Sequence, residues 1–272
     1  MRRGKILHSR ALGFLCCLAL FGGFTPLASD RAEADQAKRQ ISMAVFSFPP
    51  SVDIVQGKIK GFLPDHMSAV ATEAGYGISF TPLPIRRYVH VVADGKHDLL
   101  WGAKSYPEFQ GKVNVSPQPI EVLPLNVYGL HNVPEIRRQE DFAGKSLVLI
   151  TGYDYGGLAG YLRSEESNAQ VYDIPDHGAA IKFLLAGRAD YLLNYGPAFQ
   201  INSKGIEGVS AIQHATYRNT PMFLITSKIK DPGGQLLADL WEAHKRVISR
   251  PDYRDNVQNF SHIFRLVRFP LF

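Results

Sequence analysis

The apolar and polar positions between residues 41 and 80 predict a strand, a helix and a second strand. Residues 41–46 alternate and carry β-branched side chains, as a half-buried strand does. Apolar residues then recur at helical spacing over 67–74, and the strand-like pattern resumes at 78–80 after two glycines. Short connections between such elements are typical of an α/β layer, so the chain is predicted to have an α/β fold.

The next stretch of the chain, from Pro84 to Pro119, is expected to organise the rest. Pro84 suits the first turn of a helix, and Gly95 is placed to end that helix. The apolar residues 99–101 then predict a buried strand, and the chain continues into the polar segment 104–106. A polar loop at the carboxyl end of a buried strand is the usual ligand position in an open α/β sheet.

A second series of elements follows between residues 123 and 227. Alternating or apolar runs predict strands at 123–130, 146–150, 171–174, 189–193 and 221–227, with helices from about Leu158 and over 179–186. The pattern helix–Gly–x–x–Asp–apolar occurs at Gly95/Asp98 and again at Gly187/Asp190. This repetition predicts two similarly built lobes, the first discontinuous over 35–125 and 222–272 and the second over 126–221.

The N-terminal residues have the pattern of a secretory signal peptide. A positively charged start precedes the apolar run 11–21, which is too short for a good transmembrane span, and small residues follow it. We therefore expect residues 1–34 to be removed and the mature protein to reside in the periplasm. Both cysteines, Cys16 and Cys17, lie in the apolar run, so the mature chain is expected to have no disulfide and no thiolate ligand.

The charge of the mature chain is close to balanced. Residues 1–34 hold five of the 30 basic and two of the 25 acidic residues, which leaves 25 against 23 and a formal net charge of +2. Such a small excess does not favour nucleic acid or a membrane surface as a partner.

Ten residues in these elements match the motifs of a known family, namely Gly61, Phe62, Asp65, Gly75, Gly95, Asp98, Pro107, Glu108, Val113 and Ser116. At these positions the chain resembles the extracellular solute-binding proteins of family 3, the amino-acid ABC-transporter type, and it is identified as a divergent member. The resemblance covers about residues 41–260. It implies a type II periplasmic-binding-protein fold, in which two lobes, each a β-sheet flanked by helices, are joined by a hinge of two crossing strands.

The sequence departs from the family at the two positions that hold an amino acid. Phe109 stands where the family has the arginine that binds the α-carboxylate, and Tyr195 stands where an acidic residue binds the amine. A standard α-amino acid is therefore not the expected ligand. A Pro-x-x-Arg element of some family members matches Pro84 to Arg87, so Arg87 is a candidate for binding an anion, although a salt bridge or solvated surface position explains it equally well.

The candidate ligand-binding residues share a predicted position at strand ends or in the loops that follow them. Concave ligand sites are mostly apolar with a few polar groups, which is the character of this set. Taken singly, each aromatic residue is better explained as a core residue, whereas the set as a whole, at strand ends, favours a ligand site. The set comprises Phe48, Arg87, Trp101, Lys104, Ser105, Tyr106, Phe109, Tyr153, Tyr155, Asn194 and Tyr195.

The sequence does not predict catalytic or metal-binding chemistry. No histidine pair has metal-site spacing, no nucleophile elbow is found, and no cofactor is expected. The predicted function is therefore a monomeric periplasmic binding protein that closes on a small polar or anionic solute and presents it to an inner-membrane ABC permease or sensor. The alternative is an exported enzyme on the same scaffold, such as a dehydratase.

Overall fold

The structure is a computed structural model that describes residues 39–253. The predicted signal peptide and the C-terminal tail from residue 254 lie outside the described residues. Within the described part of the chain, no helix combines the length and the apolar character needed to cross a membrane.

Strands and helices alternate along most of the described chain. The strands are β1 (Gln40–Val45), β2 (Asp53–Val55), β3 (Lys58–Lys60), β4 (Gly77–Pro82), β5 (Leu99–Gly102), β6 (Val113–Val115), β7 (Glu121–Gly129), β8 (Ser146–Ile150), β9 (Gln170–Ile174), β10 (Tyr191–Tyr195) and β11 (Gln213–Ser227). The α-helices are α1 (Phe62–Glu73), α2 (Ile85–Ala93), α3 (Leu158–Leu162), α4 (His177–Leu185), α5 (Gly196–Asn202) and α6 (Gln235–Ser249).

The main sheet consists of two halves with the same internal order. Its strand order is β4-β1-β5-β11-β7-β10-β8-β9, with β6 pairing with β11. In the first half β1 lies between β4 and β5 and is parallel to both, and in the second half β8 lies in the same way between β9 and β10. The halves are therefore two copies of one strand arrangement. We refer to β1, β4–β6, α1, α2 and α6 as the first half and to β8–β10 and α3–α5 as the second half.

The two halves are joined by the long antiparallel strands β7 and β11. Residues 213–222 of β11 pair with β7, and residues 223–226 pair with β5 of the first half. At its other edge β7 pairs with β10 of the second half. Chain connectivity between the halves thus runs through a pair of crossing strands, which is the hinge arrangement that the resemblance implied.

A serine–aspartate pair occurs at the same place in each half. At the start of β5 the Asp98 carboxylate accepts hydrogen bonds from the backbone N–H and the hydroxyl of Ser42, at 2.8 and 2.6 Å. Before β10 the Asp190 carboxylate accepts the same two bonds from Ser146, both at 2.8 Å. These are the two aspartates of the repeated sequence pattern. Their structural role is to fix the register of the central strand of each half against the next strand.

The environments of the two aspartates differ. Burial alone would raise the pKa of Asp98, but the hydrogen bonds from Ser42 and the nearby Lys230 ammonium hold that pKa below its usual value. The pKa of Asp190 is also lowered, chiefly by the backbone N–H of Ser146. Asp98 is 7% exposed, whereas Asp190 is on the surface. The first pair is therefore expected to contribute more to stability than the second.

Most of the elements predicted from the sequence are present. The strand over 146–150 has the predicted bounds, and the helix that begins after Pro84 ends just before Gly95. The strand predicted over 221–227 is in fact the second half of β11, which begins at Gln213. The polar first part of β11 lacks an alternating apolar pattern because it lies largely exposed against β7, so periodicity could not detect it.

Replacement of the serines tests the role of the two pairs. Ser42→Ala should lower the free energy of unfolding by about 2 kcal/mol, since it leaves a buried carboxylate short of a charged hydrogen bond. Ser146→Ala should lower it by about 1 kcal/mol, because water can replace the lost donor. Urea denaturation measures both, with Ser164→Ala as the control for an exposed serine that bonds only a nearby carbonyl. Equal losses for the two variants would contradict this ordering.

Candidate functional site

Eight aromatic side chains meet where the two halves face each other. We call them the aromatic cluster, and all except the half-buried Tyr106 are buried. Each lies at the carboxyl end of a parallel strand, in the loop after such a strand, or on α2, which is where α/β sheets bind their ligands. The cluster comprises Phe46, Phe48, Tyr88, Trp101 and Tyr106 from the first half and Tyr153, Tyr155 and Tyr195 from the second.

Rings from the two halves are in direct contact. The ring centroid of Tyr153 lies 6.1 Å from that of Phe46 and 6.0 Å from that of Phe48, and Phe48 lies 5.6 Å from Tyr195. Within the first half, Trp101 lies 5.7 Å from Phe48. Several pairs are edge-to-face, the preferred geometry of aromatic rings. The rings of the two halves therefore interleave at the junction.

Two tyrosines are fixed by hydrogen bonds to the backbone. The Tyr88 hydroxyl accepts from the Trp101 backbone N–H at 2.9 Å and donates to the Trp101 carbonyl. The Tyr155 hydroxyl accepts from the Ile150 N–H at 2.7 Å and donates to the Leu193 carbonyl at 3.2 Å. Burial raises the pKa of both phenols, so they stay neutral. Each tyrosine thus holds its ring against the strands of its own half.

A series of buried, hydrogen-bonded polar side chains lies beneath the second half of the cluster. The Tyr153 hydroxyl is 3.2 Å from Nε2 of His177, and Nδ1 of the same ring is 3.0 Å from Oδ1 of Asn194. Burial lowers the pKa of His177, so the imidazole is neutral. Because the amide oxygen can only accept, Nδ1 carries the proton and Nε2 accepts from Tyr153. The Asn194 oxygen also accepts from the Tyr195 N–H at 2.9 Å, which ties two cluster residues to one histidine.

Two buried donors close to the rings have no hydrogen-bond partner among the described residues. They are Nε1 of Trp101 and Nδ2 of Asn194, both on residues that are fully buried. A buried polar atom without a partner is uncommon in native proteins, so both donors are free to bind water or a ligand.

Three cavities lie along the junction, and Tyr153 lines each of them. The central cavity has a volume of only about 20 Å³ and is walled mainly by the cluster, with Ile85, Gly102, Ala103, Gly156 and Met222. A larger flanking cavity of about 560 Å³ includes His177, Asp176 and Ser47. A smaller flanking cavity of about 360 Å³ includes Arg86, Glu108 and Arg163. The rings occupy most of the space between these two openings.

The halves also meet outside the rings. The Ser105 hydroxyl donates to the Asp154 carboxylate at 2.8 Å across the junction. Gly152 lies so close to α2 that an added Cβ would be 2.5 Å from Cγ2 of Ile85. On β11, the Arg218 guanidinium donates to the carbonyls of Tyr155 and Gly156, which secures the loop after β8. The two halves are therefore closed on each other in this structure.

Most of the predicted site residues lie at the junction. Phe48, Trp101, Tyr106, Tyr153, Tyr155 and Tyr195 belong to the aromatic cluster, and Asn194 lies directly beneath it. Phe109 is buried beside Tyr106, with ring centroids 5.6 Å apart, and Ser105 bridges the halves. Lys104 is exposed, with Nζ 5.1 Å from the centroid of the Phe223 ring.

The predicted anion-binding residue has a different position. Arg87 is exposed on α2 and lines none of the three junction cavities, whereas its neighbour Arg86 lines the smaller flanking cavity. Binding of an anion by Arg87 therefore stays a prediction.

Four residues of the junction were missed by the sequence analysis. Tyr88 and His177 belong to α2 and α4, where aromatic and histidine side chains look like ordinary helix positions. Arg218 follows a β-bulge, for which the sequence has no clear signal. Glu121 could have been found from the sequence, because a carboxylate inside the apolar run 120–125 is unusual for a strand.

Glu121 is a buried acid at the start of β7. It is 2% exposed, its Oε1 accepts from the Ser51 hydroxyl at 2.9 Å, and its Oε2 has no partner among the described residues. Burial raises the pKa of Glu121 to about 7, with the Ser51 hydrogen bond acting in the opposite direction. Glu121 is directly opposite Met222 on β11, so the two side chains share one face of the strand pair. Met222 lines the central cavity, whereas Glu121 itself lines none of the three junction cavities.

Metal binding has no support from the described residues. In the range 39–253, no group of three or more histidine, cysteine, aspartate or glutamate side chains is arranged to hold a metal ion.

Comparison with known proteins identifies the fold. No family profile and no curated protein sequence matches the chain. Among solved structures, an ancestral arginine-binding protein bound to arginine is similar, with a TM-score of 0.64 and 18% identity over 82% of this chain and 98% of that one. A histidine kinase sensor domain with similarity to periplasmic binding proteins has a TM-score of 0.65 and 17% identity over 80% of this chain and 94% of that one. An ancestral amino acid-binding protein described as a precursor of cyclohexadienyl dehydratase has a TM-score of 0.62 and 19% identity over 82% of this chain and 94% of that one.

These similarities, together with the two-part sheet and its crossing strands, define the class. The chain has the α/β, two-lobe fold of the type II periplasmic binding proteins, as predicted. The predicted resemblance to amino-acid-binding proteins of ABC transporters is confirmed at the level of the fold, at sequence identities of 17–18%.

The close approach at Gly152 leads to a prediction about closure. Gly152→Ala places a methyl group against Ile85 and should hold the halves apart, so the radius of gyration in small-angle X-ray scattering should increase. Gly157→Ala is the matched control, because its φ of +88° is as strained for alanine as the +86° of Gly152, yet it has open space around it. An unchanged radius for Gly152→Ala, or the same increase in the control, would contradict the prediction.

The buried acid leads to a prediction about pH. The folded protein holds the Glu121 proton up to about pH 7, whereas a carboxyl of ordinary pKa 4.5 loses it earlier in the unfolded chain. The stabilisation from the protonated acid is therefore complete below pH 4.5 and is lost as the pH rises through 7. Glu121→Gln should match the wild type near pH 5 and exceed its unfolding free energy by up to about 3 kcal/mol at pH 8.5.

Chemical denaturation at both pH values measures this difference, with the exposed Glu207→Gln as the control. Parallel pH profiles for wild type and Glu121→Gln would show that Glu121 does not titrate as described.

Proposed function

We propose that this chain is an exported solute-binding protein whose two halves close on a small molecule at the aromatic cluster. The observation that carries the proposal is the position of the cluster, at the carboxyl ends of β1, β5, β8 and β10 and on both sides of the crossing strands. A molecule bound there contacts both halves, so its binding energy favours the closed state over an open one.

The surrounding features fit this role. The proposed mature protein begins after a signal peptide of residues 1–34, resides in the periplasm as a monomer, and delivers its solute to an inner-membrane permease or sensor. Solved structures with this fold include the substrate-binding protein of an amino acid ABC transporter and the sensor domain named above. The proposed lobe boundaries are 35–125 with 222–272 for lobe 1 and 126–221 for lobe 2, and they fall where β7 and β11 cross.

The solute is proposed to be something other than a standard α-amino acid. Phe109 is buried in an apolar contact with Tyr106, and Tyr195 is a neutral phenol within the cluster. Neither can balance the charge of an α-carboxylate or an α-amine. A desolvated, unpaired charge costs several kcal/mol, and each 1.4 kcal/mol or so is tenfold in affinity.

A thermal-shift screen of small metabolites on the mature protein tests the proposal. The expected result is a dose-dependent rise in melting temperature for at least one compound, without consumption of that compound. Glutamate, glutamine, arginine and histidine should have no effect at micromolar concentration, and titration calorimetry checks each of them. The proposal fails if no compound of any charge class stabilises the protein, and the exclusion of amino acids fails if any of the four binds tightly.

One observation favours the alternative of an exported enzyme. A buried carboxyl with a pKa of about 7, such as Glu121, is suited to general acid chemistry at neutral pH. Turnover of a stabilising compound, followed by product analysis, would establish the enzyme. Its abolition in Glu121→Gln would identify the acid.

A further inference from the structure

We propose that Tyr153 and His177 select an uncharged solute that donates a hydrogen bond, from an O–H or N–H group, to the Tyr153 hydroxyl at the larger flanking cavity. This inference rests on the proposed function and names the ligand class of the same junction. Two features support it: the direction of the hydrogen bonds that end at Tyr153, and the lining of the cavity that Tyr153 borders.

The hydrogen bonds behind Tyr153 run in one direction only. The backbone N–H of Tyr195 donates to Oδ1 of Asn194 at 2.9 Å, and the same oxygen lies 3.0 Å from Nδ1 of His177. The opposite amide orientation is excluded, because it would place the NH2 group of Asn194 against the N–H of Tyr195. Since an amide oxygen can only accept, Nδ1 of His177 carries the proton of the imidazole ring.

His177 thereby fixes the role of the Tyr153 hydroxyl. Burial lowers the pKa of His177, so the ring is neutral and its Nε2 is an acceptor. Nε2 lies 3.2 Å from the Tyr153 oxygen, which therefore donates its only proton to the histidine. Within residues 39–253, this is the hydroxyl's one hydrogen bond. The lone pairs of the Tyr153 oxygen are what remain for a ligand.

The pair formed by Tyr153 and His177 lies at the wall of the larger flanking cavity. Both residues line this cavity, whose volume of about 560 Å³ is in the range of small-molecule sites. A solute bound there buries an apolar body against both halves and meets the Tyr153 oxygen on the side of the second half. The apolar part of the wall includes Phe46, Ile54, Leu83 and Ile85, together with Ile150 from the second half.

The chemistry of the Tyr153 oxygen determines which solute groups it accepts. A carbonyl, ether or carboxylate oxygen would direct its lone pairs at those of Tyr153, and neither oxygen would gain a partner. An O–H or N–H group completes the hydrogen bond. A site built around such a bond rejects an isostere that lacks the donor, because a buried polar group is then left unpaired.

The charges near the cavity favour a neutral donor over an ammonium group. Within the described residues, the Arg218 guanidinium donates only to the carbonyls of Tyr155 and Gly156, both of which line the adjoining central cavity. Its positive charge disfavours a second cation nearby. Asp176 is the one acidic residue in the described lining of the larger flanking cavity, and it is exposed and caps α4 by accepting from the Ala179 N–H at 2.7 Å.

Nuclear magnetic resonance of the free mature protein tests the direction of the hydrogen bonds. The ¹⁵N chemical shifts of His177, assigned by comparison with His177→Gln, should show at pH 7.5 a neutral ring that carries its proton on Nδ1. A ring protonated on Nε2, or on both nitrogens, would overturn the proposal, because the Tyr153 oxygen would then accept from histidine and offer its own proton to the ligand.

Three probes of nearly equal shape test the selection of a donor. Indole has an N–H donor, benzofuran has a ring oxygen in its place, and indene has neither. Titration calorimetry on the mature protein should give at least about tenfold tighter binding for indole than for benzofuran or indene.

Removal of one oxygen atom connects this preference to Tyr153. Tyr153→Phe keeps the ring, and the three probes should then bind with affinities within about twofold of one another. Tyr172→Phe is the matched control and should retain the tenfold preference, because Tyr172 lines none of the three junction cavities. Circular dichroism checks that both variants are folded. If Tyr153→Phe is not folded, the His177 tautomer and the probe ratios of the wild type still decide the question.

The outcomes separate this inference from the proposed function. Benzofuran that binds as tightly as indole, or an indole preference that persists in Tyr153→Phe, would overturn the assignment of a donor to Tyr153. Failure of all three probes to bind would overturn it as well. If the metabolite screen nevertheless finds a solute without an O–H or N–H donor, the solute-binding function stands and only the ligand class is wrong. If the screen also finds nothing, both proposals fail.

Discussion

The interleaving of aromatic rings between the two halves is the contact on which the rest of this structure depends. Phe46 and Phe48 from one half pack on Tyr153 and Tyr195 from the other, and the small polar contact between Ser105 and Asp154 adds little by comparison. Edge-to-face pairs contribute about 0.5–1.5 kcal/mol each beyond the area that they bury. A ligand that separates these rings must replace that stabilisation with contacts of its own.

The internal repetition of the fold explains how one junction can be built from both halves. Each half has the same three parallel strands, and each fixes them with the same serine–aspartate pair, Ser42 with Asp98 and Ser146 with Asp190. The strands of both halves therefore direct their carboxyl ends to the junction. The crossing strands β7 and β11 hold these ends opposite each other, and Gly152 allows the backbone of one half to approach α2 of the other.

Much of this architecture could be predicted from the sequence, because apolar periodicity and glycine positions reflect the buried strands directly. The Gly-x-x-Asp repeat anticipated the twofold construction, and the aromatic residues at the predicted strand ends anticipated a mostly apolar site. The sequence could not indicate which way the side chains of α2 point, so Tyr88 was overlooked, and Arg86, which lines the smaller flanking cavity, was not named beside Arg87. The long polar part of β11 was also missed, since its order comes from pairing with β7 and not from burial of its own side chains.

The burial of Trp101 within the cluster has a consequence for spectroscopy. The chain has two tryptophans, and Trp101 lies among the rings that the two halves share, whereas Trp241 is on α6 outside the cluster. Separation of the halves would admit water to the indole of Trp101 and shift its fluorescence to longer wavelength, against a steady background from Trp241. The protein therefore has an intrinsic optical reporter of its own opening, at the place where the opening begins.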